Sequence, residues 1–196
     1  MTRLQLALPG ADPPRVSLDT LFFALQPAAD TADHIAQLAS QLRADCGVHG
    51  KLRPTEVFHV TLHFLGGFAG LPRTLIEDAS RAAAILSMPA FDVEFDRALS
   101  FSGRPRNVPL VLAGGEGVAG VTALYDALGK ELLKAAVRTL GGGSGYTPHL
   151  TLLYGDRAIT ERRVSAVRWR VREFVLVRSF HGQGRHEVLQ RFALGG

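Results

Sequence analysis

Two short segments of the chain share one alternation of apolar and polar side chains. Residues 58–62 and 148–152 each place a histidine and a threonine at alternate positions between apolar residues. This period of two predicts a β-strand in each segment, in which alternate side chains lie on the same face. The polar positions are His59 and Thr61 in the first segment, and His149 and Thr151 in the second. We therefore expect each histidine to share a face with its threonine, with apolar side chains turned towards a core.

The remaining pattern divides into helical and strand segments separated by glycine and proline. Helices are predicted at about 30–45, with Asp30 or Thr31 as N-cap, from Pro72 to about 86, and from about 118 to 140. Further strands are predicted at 21–25, 91–95, 108–113, 171–179 and 188–193. The composition of residues 1–17 predicts a loose segment. The remaining connections are predicted to be a turn-rich segment at 47–55, a loop at 102–107, a mobile linker at 141–145, a basic connection at 156–170 and a turn at 182–184.

This order places one histidine–threonine strand in each half of the chain. The halves read strand–helix–strand–helix–strand and strand–helix–strand–strand–strand. We expect one α+β domain over residues 1–196, built from two similar, interleaved lobes with helices outside and antiparallel sheets facing inward.

Composition narrows the class of protein. The chain has 196 residues, of which 46% are hydrophobic and 20% charged, as in globular proteins. Cys46 is the single cysteine, so neither an intramolecular disulfide nor a cysteine-based zinc site is possible. No apolar run approaches the roughly 18 residues of a membrane span, and no signal-peptide pattern opens the chain. We expect a cytoplasmic protein with no membrane association.

The charge distribution favours an anionic partner without proving one. The net charge is +4, and residues 157–191 hold nine arginines against three glutamates. Guanidinium groups match phosphate oxygens well, which suits a nucleic acid. An arginine-rich composition can also arise from genomic base bias, so the charge alone leaves the partner open.

The duplicated motif carries the chemistry. Packing alone would be served by valine or isoleucine at the four polar positions, without desolvating imidazole and hydroxyl groups. If the two strands face each other, two imidazoles and two hydroxyls converge. Because histidine titrates near neutral pH, one ring can accept a proton from water while the other donates one to a leaving oxygen. Thr61 and Thr151 would hold phosphate oxygens.

A metal site is not indicated by the histidines. His59 and His63 are four residues apart, which in a strand separates their Cα atoms by about 13 Å. Bonds of about 2.1 Å from one metal ion cannot reach both rings without a sharp bend. His63 shares the predicted face of His59, where it either contacts substrate or bonds to a neighbouring group. No role is assigned to the other histidines: His34, His49, His181 and His186.

These motifs resemble those of the 2H phosphoesterases, specifically the bacterial 2′-5′ RNA ligase-like branch. The resemblance covers about residues 21–194 and is carried mainly by 59–66 and 147–152, with the opening strand 21–27. The closing stretches 173–179 and 188–194 are similar to the last two strands of the family. The resemblance implies a bilobal α+β fold with a pseudo-two-fold axis and a central cleft.

The resemblance also implies an activity and roles. The implied activity is metal-independent and cofactor-free hydrolysis of RNA 2′,3′-cyclic phosphate ends to 2′-phosphomonoesters. His59 would protonate the leaving oxygen and His149 would orient and deprotonate water, although the symmetry of the motifs gives no reason for that order. Arg104 and Arg106 would border the cleft and contact RNA. Many relatives carry an arginine where this chain has Tyr154, which leaves phosphate binding at that candidate position in doubt.

Other functions remain open at this point. The same site would serve hydrolysis of small cyclic-phosphate nucleotides or the reverse 2′-5′ ligation. A non-catalytic module that binds RNA or nucleotides is a further alternative from a different class. We expect a monomer.

Overall fold

The computed structural model describes residues 18–102, 107–140, 145–180 and 182–195. Within these ranges the chain forms three α-helices and nine β-strands. The helices are α1 (Ala29–Asp45), α2 (Arg73–Ala84) and α3 (Ala119–Lys134). The strands are β1 (Asp19–Leu25), β2 (Gly50–Leu52), β3 (Val60–Phe68), β4 (Phe91–Ser100), β5 (Val108–Ala113), β6 (His149–Gly155), β7 (Arg162–Val171), β8 (Glu173–Phe180) and β9 (Arg185–Ala193).

The strands form one antiparallel sheet that divides into two halves. Its order is β7-β4-β5-β6-β3-β1-β8-β9, and β2 pairs with β6. The halves β3-β1-β8-β9 and β6-β5-β4-β7 meet where β3 pairs with β6, through the residue pair Val60 and Leu150. Each half contains one motif: β6 includes both His149 and Thr151, whereas β3 begins at Val60, so it includes Thr61 and directly follows His59. The α+β class is confirmed, while the arrangement as two lobes about a cleft stays a prediction.

One face of the sheet is packed against the helices. Alternate residues of β1, Leu21, Phe23 and Leu25, join a core with buried side chains of all three helices. Ile35 of α1 and Leu128 of α3 are fully buried there. We call this the helix-packed face. Burial of these apolar side chains supplies the main favourable contribution to folding.

The opposite face, which we call the open face, carries a small apolar cluster without helical residues. Phe22 and Ala24 of β1 pack there against Val175 and Val177 of β8. Strand β1 is therefore buried on both faces, which explains why residues 21–25 are apolar without alternation.

The predicted basic connection at 156–170 is wrong over most of its length, because Arg162–Val171 form strand β7. Its arginines hide the alternation, since they lie directly across from acidic residues of β4. Arg170 pairs with Asp92 at 3.0 Å and Arg168 with Glu94 at 2.6 Å, both in register. Cross-strand pairs of opposite charge stabilise an antiparallel ladder. Many arginines of the basic C-terminal third thus have structural partners.

Several predicted boundaries also differ. Helix α1 begins at Ala29 after Ala28 and has no side-chain cap, so Asp30 lies in its first turn rather than at the N-cap. Helix α3 ends at Lys134 instead of near residue 140, and Ala136 follows with a left-handed φ of 56°. The turn-rich segment contains the short strand β2. Residues 1–17, 103–106 and 141–144, which include the predicted leader and most of the predicted linker, lie outside the described residues.

Two adjacent leucines of α3 test the packing of the helix-packed face. Leu132 is fully buried, whereas Leu133 is 78% exposed. We expect Leu132→Ala to lower the free energy of unfolding by about 2–5 kcal/mol, because it leaves a cavity in a packed core. Leu133→Ala, the matched control, should change it by less than about 0.5 kcal/mol. Urea denaturation followed by circular dichroism measures both, and equal effects would contradict the packing described here.

Candidate active site

The pairing of β3 with β6 brings the two motifs side by side. Val60 lies opposite Leu150 in an antiparallel register, and both side chains are fully buried on the helix-packed face. The residues on either side of this pair therefore face the open side. Val60 and Leu150 are the one pair recorded between these strands, and each stands between the histidine and the threonine of its own motif. Residues two apart along a strand are about 7 Å apart and share a face.

The four side chains, His59, Thr61, His149 and Thr151, form what we call the paired-histidine cluster. All four are half-buried, so each is held by the fold and still reaches solvent. A tetrahedral phosphate is of the right size to contact groups at these spacings. The sequence predicted each face correctly but gave no evidence that the two strands meet.

Both histidine rings are held by the same local hydrogen bond. The Nδ1 atom of His59 lies 2.8 Å from the carbonyl oxygen of Val57, and Nδ1 of His149 lies 2.8 Å from that of Thr147. A carbonyl only accepts, so Nδ1 carries the proton in each ring and donates it. Nε2 is then the nitrogen available to substrate. The repeat thus extends from the sequence to the orientation of the rings.

The surroundings of His59 keep its ring neutral in the ligand-free protein. Burial lowers the pKa of His59 to about 4, against a bond to Val57 that favours the charged form. The positive charges of Arg53 and His149 lower this pKa further. Phe22 packs against the ring with centroids 4.9 Å apart. His59 is therefore a proton acceptor at neutral pH until an anion binds beside it.

His186 of β9 is a third histidine at this site, and the sequence analysis assigned it no role. Its ring meets that of His59 edge to face, with centroids 5.1 Å apart, and also contacts Phe22. Its Nδ1 atom is buried without a hydrogen-bond partner in the described structure. Burial, followed by the charges of His59 and Arg53, lowers the pKa of His186 to about 4. The alternation in β9 indicated a face for His186, but only the sheet order places β9 near His59.

His63 does not share the face of His59, which corrects the prediction, although it lines one cavity together with Thr61 and His149. Ala24 pairs with Thr61 and Phe22 with Phe64, so two residues of β3 lie opposite one residue of β1 between these pairs, as in a β-bulge. The extra residue turns His63 towards the helix-packed face. There Nε2 lies 2.8 Å from the carbonyl oxygen of Tyr125, and the two rings stack. Burial lowers the pKa of His63. His63 is thus bonded to a neighbouring group, which was one of the two predicted alternatives.

Of the three other residues predicted to contact substrate, the structure describes Tyr154 but not Arg104 or Arg106. Tyr154 of β6 is 43% exposed and lies directly across from Lys51 of β2. It stands five residues after His149, as Phe64 stands five after His59. Arg104 and Arg106 lie outside the described residues.

Two cavities of different chemistry adjoin the paired-histidine cluster. One of about 320 Å³ includes Thr61 and His149 in its lining, together with the aromatic residues Phe64, Tyr125 and Tyr146. The Tyr146 hydroxyl donates to the carbonyl oxygen of Thr61 at 2.8 Å. The other, of about 570 Å³, includes Lys51, Arg53, Tyr154 and Phe180. The two motifs are similar in sequence, but the cavities beside them are lined by different kinds of residue.

Neither a metal-ion site nor a membrane-spanning helix is found among the residues that the structure describes. In the part of the chain that the structure describes, no group of three or more histidine, cysteine, aspartate or glutamate side chains is placed to hold a metal ion. No helix among those residues is long and apolar enough to cross a membrane.

Comparison with known families assigns the class. The model of the 2′-5′ RNA ligase superfamily matches residues 31–183, well over half of the chain. The chain therefore belongs to this superfamily, within the 2H phosphoesterases, whose chemistry is directed at phosphodiester bonds.

Solved structures share the fold. Escherichia coli LigT in its apo form is 23% identical with a TM-score of 0.69, covering 92% of this chain and 99% of LigT. LigT in complex with 3′-AMP is 24% identical with a TM-score of 0.70, and the match covers 91% of this chain and 99% of LigT. TT0787 of Thermus thermophilus is 22% identical with a TM-score of 0.70, and the match covers 90% of this chain and 98% of TT0787. A comparison with curated protein sequences gives no match.

The protonation of His59 is directly measurable. We expect its ring to titrate in the ligand-free protein with a midpoint of about 4, well below the ordinary 6.5, as followed by NMR of the ring carbon-bound protons. Arg53→Gln should raise this midpoint, because it removes a positive charge that opposes protonation. Arg170→Gln, which alters an arginine paired on β7, is the control and should leave it unchanged. A wild-type midpoint of 6.5 or above would contradict the site described here.

Proposed function

We propose that the protein hydrolyses RNA 2′,3′-cyclic phosphate ends to 2′-phosphomonoesters without a metal ion. The observation that carries this proposal is the matched placement of two imidazoles, each with Nδ1 bonded to a backbone carbonyl and Nε2 left for substrate. A ring-opening hydrolysis needs one proton acceptor and one proton donor on opposite sides of phosphorus. The cluster contains one candidate for each.

The reaction is written with His149 as base and His59 as acid, the order that the family resemblance implies. His149 takes a proton from water as the water oxygen bonds to phosphorus. The bond from phosphorus to the 3′ oxygen breaks, and His59 gives its proton to that oxygen. The products are a 2′-phosphomonoester and a free 3′ hydroxyl. Each positioned proton transfer is typically worth about 10²–10⁴-fold in rate.

The low pKa of His59 adds a condition to this order. A ring with a pKa of about 4 is neutral in the free protein, so it must gain a proton before it can act as an acid. Binding of the anionic phosphodiester would favour this protonation, because a negative charge beside the ring raises the pKa of His59. The bond from Nδ1 to the Val57 carbonyl also favours the charged ring. In this scheme substrate binding charges His59.

Thr61 and Thr151 complete the proposed site. The pairing of Val60 with Leu150, the residues between each histidine and its threonine, supports a shared space for the two hydroxyls and the two rings. Their O–H groups would donate to the non-bridging phosphate oxygens as charge shifts in the transition state.

Bound ligands of LigT support a nucleotide substrate. Structures of LigT contain 3′-AMP, ATP and NADP⁺. All three carry phosphate on a nucleoside, and NADP⁺ carries it at a ribose 2′ position. The shared fold makes nucleotide binding a reasonable inference for this chain, and RNA is the substrate that we propose.

Ligation is the second candidate, because the family name includes it. The same two histidines would serve if the 5′ hydroxyl of a second RNA replaced water as the nucleophile. Supplying a 5′-hydroxyl RNA together with the cyclic-phosphate RNA distinguishes the two, since ligation alone lengthens the chain. A non-catalytic RNA-binding module would show binding without turnover in the wild type.

Asparagine variants test the paired histidines. Asparagine keeps a donor for the carbonyl that Nδ1 contacts but lacks Nε2. We expect His59→Asn and His149→Asn each to lower kcat on cyclic-phosphate-ended RNA by about 10²–10⁴-fold, with EDTA present throughout. Chromatography of the product ends should show a 2′-phosphate in the wild type.

The control for these variants is His34→Asn on α1, which lies on an exposed position of a helix. It should retain wild-type activity. Near-normal kcat in either paired-histidine variant, or loss of wild-type activity with EDTA, would contradict the mechanism.

A further inference from the structure

The larger of the two cavities has the chemistry of a nucleic-acid site. Its volume of about 570 Å³ lies in the range of small-molecule and nucleotide pockets. None of its described lining residues is acidic. The lining is Thr20, Lys51, Leu52, Arg53, Pro54, Tyr154, Ser179, Phe180, Gly182, Gln183 and Gly184. Two cations, two half-buried hydroxyl side chains and two aromatic rings thus surround one space.

The positive charge here is not neutralised by carboxylates of the described residues. Among the described residues, neither Lys51 nor Arg53 has a carboxylate within 4.0 Å, in contrast to the paired arginines of β7. Arg185 is a third such cation, and its guanidinium carbon lies 3.7 Å from the ring centroid of Phe180 in the cavity wall. Unpaired cations around a cavity attract an anion, and a phosphodiester suits guanidinium and ammonium donors.

The aromatic part of the lining suits a base. Tyr154 is 43% exposed, and its Cα lies directly across from that of Lys51, so a ring and a cation stand side by side. Single-stranded nucleic acids bind to such surfaces by stacking bases on aromatic rings while cations follow the backbone. Two lining glycines, Gly182 and Gly184, adopt left-handed φ values of 73° and 59°, and a Cβ at either would meet no atom of the described residues within 4 Å.

The cavity adjoins the paired-histidine cluster on the side of His59. Strand β6 carries both Thr151 of the cluster and Tyr154 of the cavity. The backbone N–H of Arg53 donates to the carbonyl oxygen of Leu152, which lies between those two residues. The charge of Arg53 also acts on His59, so the two sites share one electrostatic environment.

We propose that this cavity binds the nucleotide preceding the terminal cyclic phosphate of an RNA chain, with its phosphodiester at Lys51 and Arg53 and its base on Tyr154. The inference rests on the proposed function for the direction of the chain, since that function places the terminal phosphorus at the paired histidines. It makes the protein an enzyme of RNA ends rather than of free mononucleotides.

A binding experiment tests this without relying on turnover. The probe is a fluorescein-labelled pentauridylate ending in a 2′-phosphate, with uridine 2′-phosphate as the competing mononucleotide, and affinity is measured by fluorescence anisotropy at several salt concentrations. We expect the wild type to bind the pentanucleotide at least about tenfold more tightly than the mononucleotide, since stacking and phosphate contacts add to affinity. Tyr154→Ala should weaken pentanucleotide binding by at least about fivefold.

Two lysine variants form the matched pair. Lys51→Ala should weaken pentanucleotide binding and reduce the slope of log affinity against log salt by about 0.7, the value for one phosphate contact on a single strand. Lys134→Ala removes an exposed lysine of α3 that pairs with Glu131, and it should change neither quantity. Circular dichroism confirms that each variant is folded.

Two results would overturn the inference: equal affinity of the wild type for the mononucleotide and the pentanucleotide, or unchanged binding in both Tyr154→Ala and Lys51→Ala. Failure of the proposed function has a different signature, because it appears as absent hydrolysis of any cyclic phosphate by the wild type. RNA binding that depends on Tyr154 and Lys51 would support the cavity assignment even then.

Discussion

The register between β3 and β6 is the constraint on which the site depends. Val60 and Leu150 form the residue pair that joins the two halves of the sheet, and both side chains are buried against the helices. Because side chains alternate along a strand, this burial forces the neighbouring histidines and threonines onto the open face. A slip of one residue would exchange the two sets and bury the polar groups. The hydrophobic core thus specifies the arrangement of the polar site.

A symmetric motif in asymmetric surroundings explains how two similar histidines can take different roles. The two rings make the same bond to a backbone carbonyl, yet among the described residues His59 has Arg53 and His186 beside it, whereas His149 contacts Phe101. Burial, followed by the charges of Arg53 and His149, holds His59 neutral, and a bound anion would reverse this preference. The flanking cavities differ in the same way, one largely aromatic and the other basic. The surroundings, rather than the motif, therefore distinguish one histidine from the other.

Much of the fold was predictable from local patterns, and the exceptions have physical causes. Alternation located the two motif strands, and the uniformly apolar residues 21–25 indicated a central strand. Strand β7 was missed because its outward arginines pair with carboxylates of β4, and a sequence does not show which strands are neighbours. The orientation of His63 was missed because a one-residue irregularity in β3 reverses the alternation after Thr61.

The site was predictable in its chemistry and not in its assembly. The residue types at His59 and His149 indicated acid–base catalysis before any contact was known. Arg53, within a turn-rich segment, and His186, on a distant strand, reach His59 only through the sheet order. Contacts of this kind depend on long-range pairing, which local periodicity does not encode.

A crystal structure with uridine 2′-phosphate, the proposed type of product, tests the central claim most directly. The account predicts one phosphate group with oxygens about 2.7–3.2 Å from Nε2 of both His59 and His149. A phosphate bound to one ring alone, or bound elsewhere with the two Nε2 atoms directed apart, would contradict it.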